Sequence, residues 1–229
     1  IGVRGRRSRR DFKKKAGKIM QRYHFCEIDL AAIRHNVGVM KSHIAGGARF
    51  LAVVKADAYG HGAVPVAKAA LEAGADMLAV AIPEEGIELR EAGIAAPILV
   101  LGGIEESAAE AVVQNDLTQV VFDERRIRAL AQAGQKLGRC AKVHLKLDTG
   151  MNRIGVRTED EVRTLVRLID SLPGIELTGC FTHMATADED DASGTRAQPN
   201  RGVFEHRVLV HVLIIVVFHE LEQRFQLLI

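Results

Sequence analysis

The chain has 229 residues, of which 48% are hydrophobic and 26% are charged, so it can bury a sizeable core in one large domain or two small ones. The net charge of +2 conceals an asymmetry, because residues 1–22 hold ten of the 31 basic side chains, whereas residues 23–229 carry 21 basic against 28 acidic ones. The body is therefore mildly acidic, which argues against a nucleic-acid partner, and no apolar stretch approaches the ~18 residues of a membrane span.

The sequence divides into three segments of different texture. Residues 1–22 form a basic leader that we expect to be disordered, residues 23–198 read as one structured unit, and residues 199–229 form a tail. The leader lacks the apolar region of a secretory signal, and an alternative interpretation takes it as a basic nucleic-acid-binding arm. Three scattered cysteines form neither a disulfide framework nor a metal-binding pattern, so we expect a cytoplasmic protein without a bound metal.

The structured unit alternates short apolar runs with segments of helical period. The runs predict strands at 50–54, 77–82, 97–102, 119–123, 142–147 and 175–181. The intervening helical segments carry helix start and stop residues, with Pro83 at the start of one, and Gly74 and Gly93 at the ends of two. Six repeats of strand and helix indicate a parallel sheet. Two architectures fit this pattern, an open doubly wound sheet or a (β/α)8 barrel of which about six units are present.

Ahead of the first repeat, "YHFCEIDLAAIRHNVGVMK" predicts a short strand followed by a helix. Asp29 is the expected N-cap of this helix, because an aspartate side chain accepts hydrogen bonds from the first free N–H groups. The spacing of Leu30, Ile33, Val37 and Met40 places these four side chains on one face.

Polar residues collect where three of the predicted strands end. The first strand runs into Lys55 and Tyr59, the fifth contains Lys146 and is followed by Arg153, and the sixth leads to His183. Each residue alone has an ordinary interpretation as a surface or core side chain. Because the carboxyl ends of barrel strands meet at one face, their co-occurrence predicts a site. A partly buried lysine can form a Schiff base, and Gly60 and Gly62 would allow a ligand to approach the backbone.

These residues lie in motifs that resemble those of bacterial alanine racemases. The resemblance spans about residues 20–198, and the motifs follow the family's order: "EIDLAAIRHNV", "AVVKADAYGHG", "KLDTGMNRIG" and "FTHMATADE". It implies a fold type III pyridoxal-phosphate enzyme with an N-terminal (β/α)8 barrel and a C-terminal β domain. It also implies a homodimer that interconverts L- and D-alanine and so supplies D-alanine for peptidoglycan.

The resemblance assigns a role to each residue of the predicted site. Lys55 would hold pyridoxal phosphate as a Schiff base and act as one of two bases, and Tyr59 would lie near the phosphate. Arg153 would contact the cofactor's phenolic oxygen and the substrate carboxylate. Lys146 aligns with a position that is often carbamylated, and the resulting anion would orient Arg153. His183 would pack beside the pyridine ring, and the second base would be a tyrosine of the partner's C-terminal domain.

The resemblance ends near Gln198, where "PNRGVFEHRVLVHVLIIVVFHELEQRFQLLI" replaces the family pattern. We expect that the reading frame changes there, that Met20 is the natural start, and that two barrel strands and the β domain are missing. Such a barrel would leave two sheet edges open, so we expect the chain alone to be poorly soluble and inactive. Two further interpretations are another fold type III enzyme, such as a serine racemase or an amino-acid decarboxylase, and a non-catalytic pyridoxal-phosphate-binding barrel.

Overall fold

The computed structural model describes residues 26–44, 48–187, 190–191 and 193–198, together with the backbone of residues 213–217. The strands are β1 Arg49–Val53, β2 Met77–Val80, β3 Ile98–Val100, β4 Thr118–Val121, β5 Ala141–Lys146, β6 Ile175–Phe181 and β7 Leu213–Val217. The helices are α1 Leu30–Ser42, α2 Ala63–Glu72, α3 Pro83–Glu91, α4 Ala109–Gln114, α5 Glu124–Leu137, α6 Glu159–Ser171 and α7 Ser193–Ala197, with a short 3-10 turn at Glu106–Ala108.

The strands form one parallel sheet in the order β6-β5-β4-β3-β2-β1-β7. Strands β1 to β6 are thus neighbours in chain order, and each successive pair is parallel. A doubly wound sheet would reverse its strand order at a switch point. The unbroken order from β1 to β6 therefore decides between the two predicted architectures in favour of the incomplete barrel.

The two faces of the sheet bury different side chains. The outer face packs against the helices in the larger core cluster, in which strand residues such as Phe50 and Val143 meet helix residues such as Leu130. The inner face buries a smaller set contributed by strands alone: Leu51, Val53, Met77, Ala79, Leu99, Val120 and Phe181. A second apolar face without covering helices is what the interior of a barrel requires.

Helix α1 begins as predicted. The Asp29 carboxylate accepts hydrogen bonds from the N–H groups of Ala31 at 2.8 Å and Ala32 at 3.2 Å. The short strand expected just before it is not present at residues 26–29, because Asp29 already serves there as a helix cap. The basic leader and residue 25 lie outside the described residues.

The tail differs from expectation at one point. Strand β7 pairs in parallel with β1 over five residues, from Arg49 opposite Leu213 to Val53 opposite Val217. We expected the β1 edge to be open, but these backbone groups have partners. In the part of the chain that the structure describes, the outer edge of β6 has no neighbouring strand. The rest of residues 199–229 lies outside the described ranges.

Candidate active site

Lys55 lies directly after β1 at the start of an unusual turn, Lys55–Gly60. Residues 56–59 adopt left-handed helical dihedral angles, with φ between 51° and 54°, although none of them is glycine. Side chains of L-amino acids disfavour this conformation. The turn brings two predicted site residues together, because the Lys55 Nζ lies 5.7 Å from the centroid of the Tyr59 ring. Burial raises the pKa of the Tyr59 hydroxyl, which keeps it protonated as a hydrogen-bond donor.

The far end of the same turn is tied to helix α2. The Asp57 carboxylate accepts a hydrogen bond from the N–H of Ala63, the first residue of α2, at 2.6 Å. The Asp57 carbonyl accepts another from the N–H of Gly62 at 2.8 Å. Gly62 has a φ of 92°, which glycine adopts without steric cost. The sequence "ADAYGHG" therefore serves to fold the chain back sharply beside Lys55.

Lys146 is the last residue of β5 and points to the inner face, where it is 3% exposed. Its Nζ donates to the carbonyl of Leu147 at 2.6 Å and lies 5.4 Å from the Phe181 ring centroid. Burial lowers the pKa of Lys146 to about 8, an effect that Arg153 strengthens and the Asp148 carboxylate opposes. A neutral amine is therefore accessible here near physiological pH.

Asp148 organises the loop that carries Arg153. Its Oδ1 accepts from the N–H groups of Gly150 at 3.2 Å and Asn152 at 2.8 Å, and its Oδ2 accepts from the N–H of Arg153 at 3.1 Å. Burial acts to raise the pKa of Asp148, but the bonds from Asn152 and Gly150, with the charges of Arg157 and Lys146, lower it on balance. The Asp148 carboxylate is thus bound by the N–H groups of its own loop. Arg153 itself is exposed, and within the described ranges its guanidinium makes no hydrogen bond or ion pair.

His183 follows β6 and is partly buried. Its pKa is lowered by burial and by the positive charges of Arg153, Lys146 and Lys55. All three cations predicted from the sequence therefore act on one imidazole, although they come from two different strand ends. The imidazole is neutral at physiological pH, so it can pack on a flat ring without adding further positive charge.

Gln198 is a residue of this site that sequence reasoning missed. It is 3% exposed, and its Nε2 donates to the His183 carbonyl at 2.7 Å and to Thr149 Oγ1 at 2.8 Å, while its Oε1 accepts from the Ala185 N–H at 2.9 Å. Thr149 in turn bonds Thr182 at 2.7 Å. One buried amide thus holds the loops after β5 and β6 together. In the sequence analysis, Gln198 had significance only as the point where the resemblance ends.

The arrangement favours an anionic ligand with a group that an amine can attack. Lys55, Lys146 and Arg153 supply positive charge, while the Asp148 carboxylate is already used by its own loop. Within the described ranges, no group of three or more His, Cys, Asp or Glu side chains is placed to hold a metal ion. None of the described helices is long and apolar enough to cross a membrane.

Comparison with known proteins gives one answer. The family model for the alanine racemase N-terminal domain matches residues 28–206. The alanine racemase of Symbiobacterium thermophilum is 51% identical over 177 residues, which are 77% of this chain and 46% of that protein. The alanine racemase 1 of Bacillus subtilis is 46% identical over 73% of this chain and 42% of its own length. The chain therefore spans about half the length of the curated relatives that it matches.

Solved structures agree with the sequence relatives. The alanine racemase of Clostridium difficile 630 in complex with cycloserine superposes with a TM-score of 0.76 at 38% identity, covering 82% of this chain and 53% of that one. A histidine racemase from Leuconostoc mesenteroides subsp. sake gives a TM-score of 0.74 at 27% identity, covering 79% of this chain and 49% of that one. This chain belongs to the alanine racemase family, and the region that matches is that family's N-terminal domain.

Proposed function

We propose that this chain provides the cofactor-binding barrel of a pyridoxal-phosphate-dependent alanine racemase. The observation that carries the proposal is that Lys55, Lys146 and His183 lie at the carboxyl ends of β1, β5 and β6, with Lys146 buried on the inner face. The reaction proposed is the interconversion of L- and D-alanine, which supplies D-alanine for peptidoglycan. We place it in the cytoplasm, because all three cysteines are free thiols and a reducing compartment keeps them so.

The residues present fit pyridoxal phosphate. Lys55 would offer an amine to the aldehyde, and Tyr59, whose ring centroid lies 5.7 Å from that amine, would offer a protonated hydroxyl to the phosphate. Arg153 would offset the negative charge at the cofactor's phenolic oxygen. When bound, the cofactor draws off the negative charge that develops at the substrate Cα.

Lys146 is suited to the carbamylation that the resemblance implies. With a pKa of about 8, about a quarter of its side chains are neutral at pH 7.5, against about 0.1% for an ordinary lysine. The neutral amine can attack carbon dioxide, forming an N–C bond and releasing one proton. The product is a carboxylate in place of an ammonium, so the repulsion between Lys146 and Arg153 becomes an attraction that orients the guanidinium.

Racemisation requires proton transfer on both faces of a planar carbon, and therefore two bases. Lys55 would serve one face and move one proton. The second base proposed is the tyrosine that the resemblance locates in the C-terminal domain of a partner subunit, which makes the active form a homodimer. The chain has only Tyr23 and Tyr59, and Tyr59 belongs to the same turn as Lys55.

Trapping the cofactor on the purified chain tests the binding role. After incubation with pyridoxal phosphate and reduction with borohydride, peptide mapping should find the adduct at Lys55. The variant Lys55→Ala should lose it, and Lys68→Ala, which removes an exposed lysine of α2, should not. Absence of an adduct at Lys55 in the wild type would refute the proposal.

Substrate choice needs a second assay, because one fold neighbour is a histidine racemase. Among solved structures, the higher identity to the alanine racemase of Clostridium difficile 630, 38% against 27%, favours alanine. In a protein that joins this barrel to the family's C-terminal domain, formation of D-alanine from L-alanine should exceed formation of D-histidine from L-histidine. Release of carbon dioxide would instead indicate a decarboxylase, and an adduct without any turnover would favour a non-catalytic pyridoxal-phosphate-binding barrel.

A further inference from the structure

Glu85 makes an uncommon set of contacts for a partly exposed glutamate. It is the third residue of α3, and its carboxylate accepts three backbone hydrogen bonds. Oε1 accepts from the N–H of Ala56 at 2.7 Å, and Oε2 accepts from Ala81 at 2.6 Å and from Ile82 at 3.3 Å. One side chain therefore joins the residue after Lys55 to the segment between β2 and α3.

The Ala56 contact matters because of the conformation that starts there. Ala56 has φ 51° and ψ 50° and is the first of four consecutive non-glycine residues in the left-handed region. Such residues persist only where their surroundings determine the backbone. Asp57 holds the far end of the turn through Ala63. Glu85 holds the near end, one peptide bond from Lys55, with a charge-assisted hydrogen bond.

We propose that Glu85 is a positioning residue for Lys55. By fixing the first peptide of the left-handed turn, its carboxylate directs the Lys55 amine toward the site shared with His183 and Arg153. This inference rests on the proposed function, since it assumes that the Lys55 amine is the reacting group.

Glu85 also makes the contact expected of a residue that stabilises its own helix. A glutamate at this position often accepts a hydrogen bond from the N-cap N–H and so stabilises its own helix. Here the N-cap contact, from Ile82, is the longest of the three at 3.3 Å. The separate oxygen Oε1 serves Ala56, which belongs to another element. The two roles therefore separate in experiment, because only the positioning role predicts a change in Lys55 reactivity.

The test compares the rates at which two lysines of the full chain acquire borohydride-reducible pyridoxal phosphate. Lys55 is the site lysine, and exposed Lys68 on α2 serves as an internal reference. In Glu85→Gln the uncharged amide has a single oxygen and cannot accept from Ala56 and Ala81 together, so the Lys55 rate relative to Lys68 should fall about tenfold, as expected for loss of one charge-assisted bond. The matched control is Glu84→Gln, which removes the same charge from the same helix turn at an exposed residue and should leave the ratio unchanged.

A rescue variant separates positioning from general damage. Glycine adopts positive φ without steric cost, so adding Ala56→Gly to Glu85→Gln should recover at least part of the lost Lys55 rate. A structural role would lower the unfolding midpoint of Glu85→Gln but leave the Lys55 to Lys68 ratio at the wild-type value, and that result would overturn the inference.

Two further outcomes are decisive. If the wild type forms no adduct at Lys55, the proposed function itself fails, and this failure is distinct from an unchanged ratio in Glu85→Gln. If Glu85→Gln does not fold by circular dichroism, the same ratio is measured in Glu85→Asp, which keeps the charge but shortens the side chain by one methylene. A fall in the Lys55 to Lys68 ratio supports the positioning role, and the wild-type ratio overturns it.

Discussion

Replacing Lys146 with methionine should stabilise the protein at neutral pH and not at high pH. Burial lowers the pKa of Lys146 from 10.5 to about 8, and each pKa unit corresponds to about 1.4 kcal/mol. The charged amine therefore lowers the free energy of unfolding by about 3 kcal/mol at pH 7. Methionine is similar in size, unbranched and uncharged, so Lys146→Met removes this cost.

The sign of the pH dependence follows from proton binding. Between pH 8 and pH 10.5 the unfolded chain binds more protons than the folded one, so the stability of the wild type rises with pH in this window. The variant also loses the hydrogen bond from Nζ to the Leu147 carbonyl, worth about 1 kcal/mol. Lys146→Met should thus exceed the wild type by about 2 kcal/mol at pH 7, and the advantage should be gone by pH 10.

Urea unfolding at pH 7 and pH 10, in buffers freed of carbon dioxide so that Lys146 stays an amine, measures both values. The control is Lys142→Met on the same strand, where the side chain is 43% exposed and its ion pair with Asp116 is at the surface. It should change the free energy of unfolding by less than about 1 kcal/mol at either pH. A difference between Lys146→Met and the wild type that is equal at both pH values would refute the reasoning.

Three other substitutions test the loops of the site. Gly155→Ala should cost at least about 2 kcal/mol of unfolding free energy, because its φ is 122° and a Cβ would lie 2.8 Å from the Asp148 nitrogen. The control is Gly138→Ala, where φ is 62° and the Cβ would point into open space, and it should cost about 1 kcal/mol. Gln198→Leu should cost about 2 kcal/mol and the exposed Gln132→Leu almost nothing, both by urea unfolding. Asp148→Asn should be destabilising at pH 6 and the gap should close toward pH 3, because a lowered pKa contributes stability that is lost as the carboxylate is protonated.

The strands and helices of the barrel could be predicted because apolar runs mark the buried strands and glycines mark the ends of helices. The strand expected at 50–54 is found at Arg49–Val53, and the one expected at 175–181 is found at Ile175–Phe181. A parallel strand covered on both faces is predominantly apolar, which marks the extent of β1, whereas β6 keeps Glu176 and Thr178 in its first half. Gly74 and Gly93, expected at helix ends, follow α2 and α3 with φ of 103° and 81°.

The site could be predicted as a set of residues but not as a geometry. Lys55, Lys146 and His183 were placed together because the ends of parallel strands meet at one face. The low pKa of Lys146 follows from its burial, which the sequence alone did not establish. The exposed position of Arg153 depends on how the Asp148 carboxylate binds the N–H groups of its loop. No local sequence pattern predicts such contacts.

Features that depend on distant residues were missed for a common reason. Residues 56–59 have no intrinsic preference for a left-handed turn, and their conformation is held by Glu85, a residue of the next repeat. Gln198 acts through loops far back along the chain. Tertiary contacts of this kind override local propensity, so they appear only once the elements are in place.

The pairing of β1 with β7 has a consequence for how the chain folds. Strands β1 to β6 pair in the order of synthesis, so each new strand meets a neighbour that is already present. The other edge of β1 can pair only after residues 213–217 have been synthesised, and these follow all of the repeats. Contacts so distant in sequence form slowly, and an unpaired strand edge recruits other chains in the meantime. Lower temperature or slower expression should therefore raise the yield of monodisperse protein more than changes made after folding.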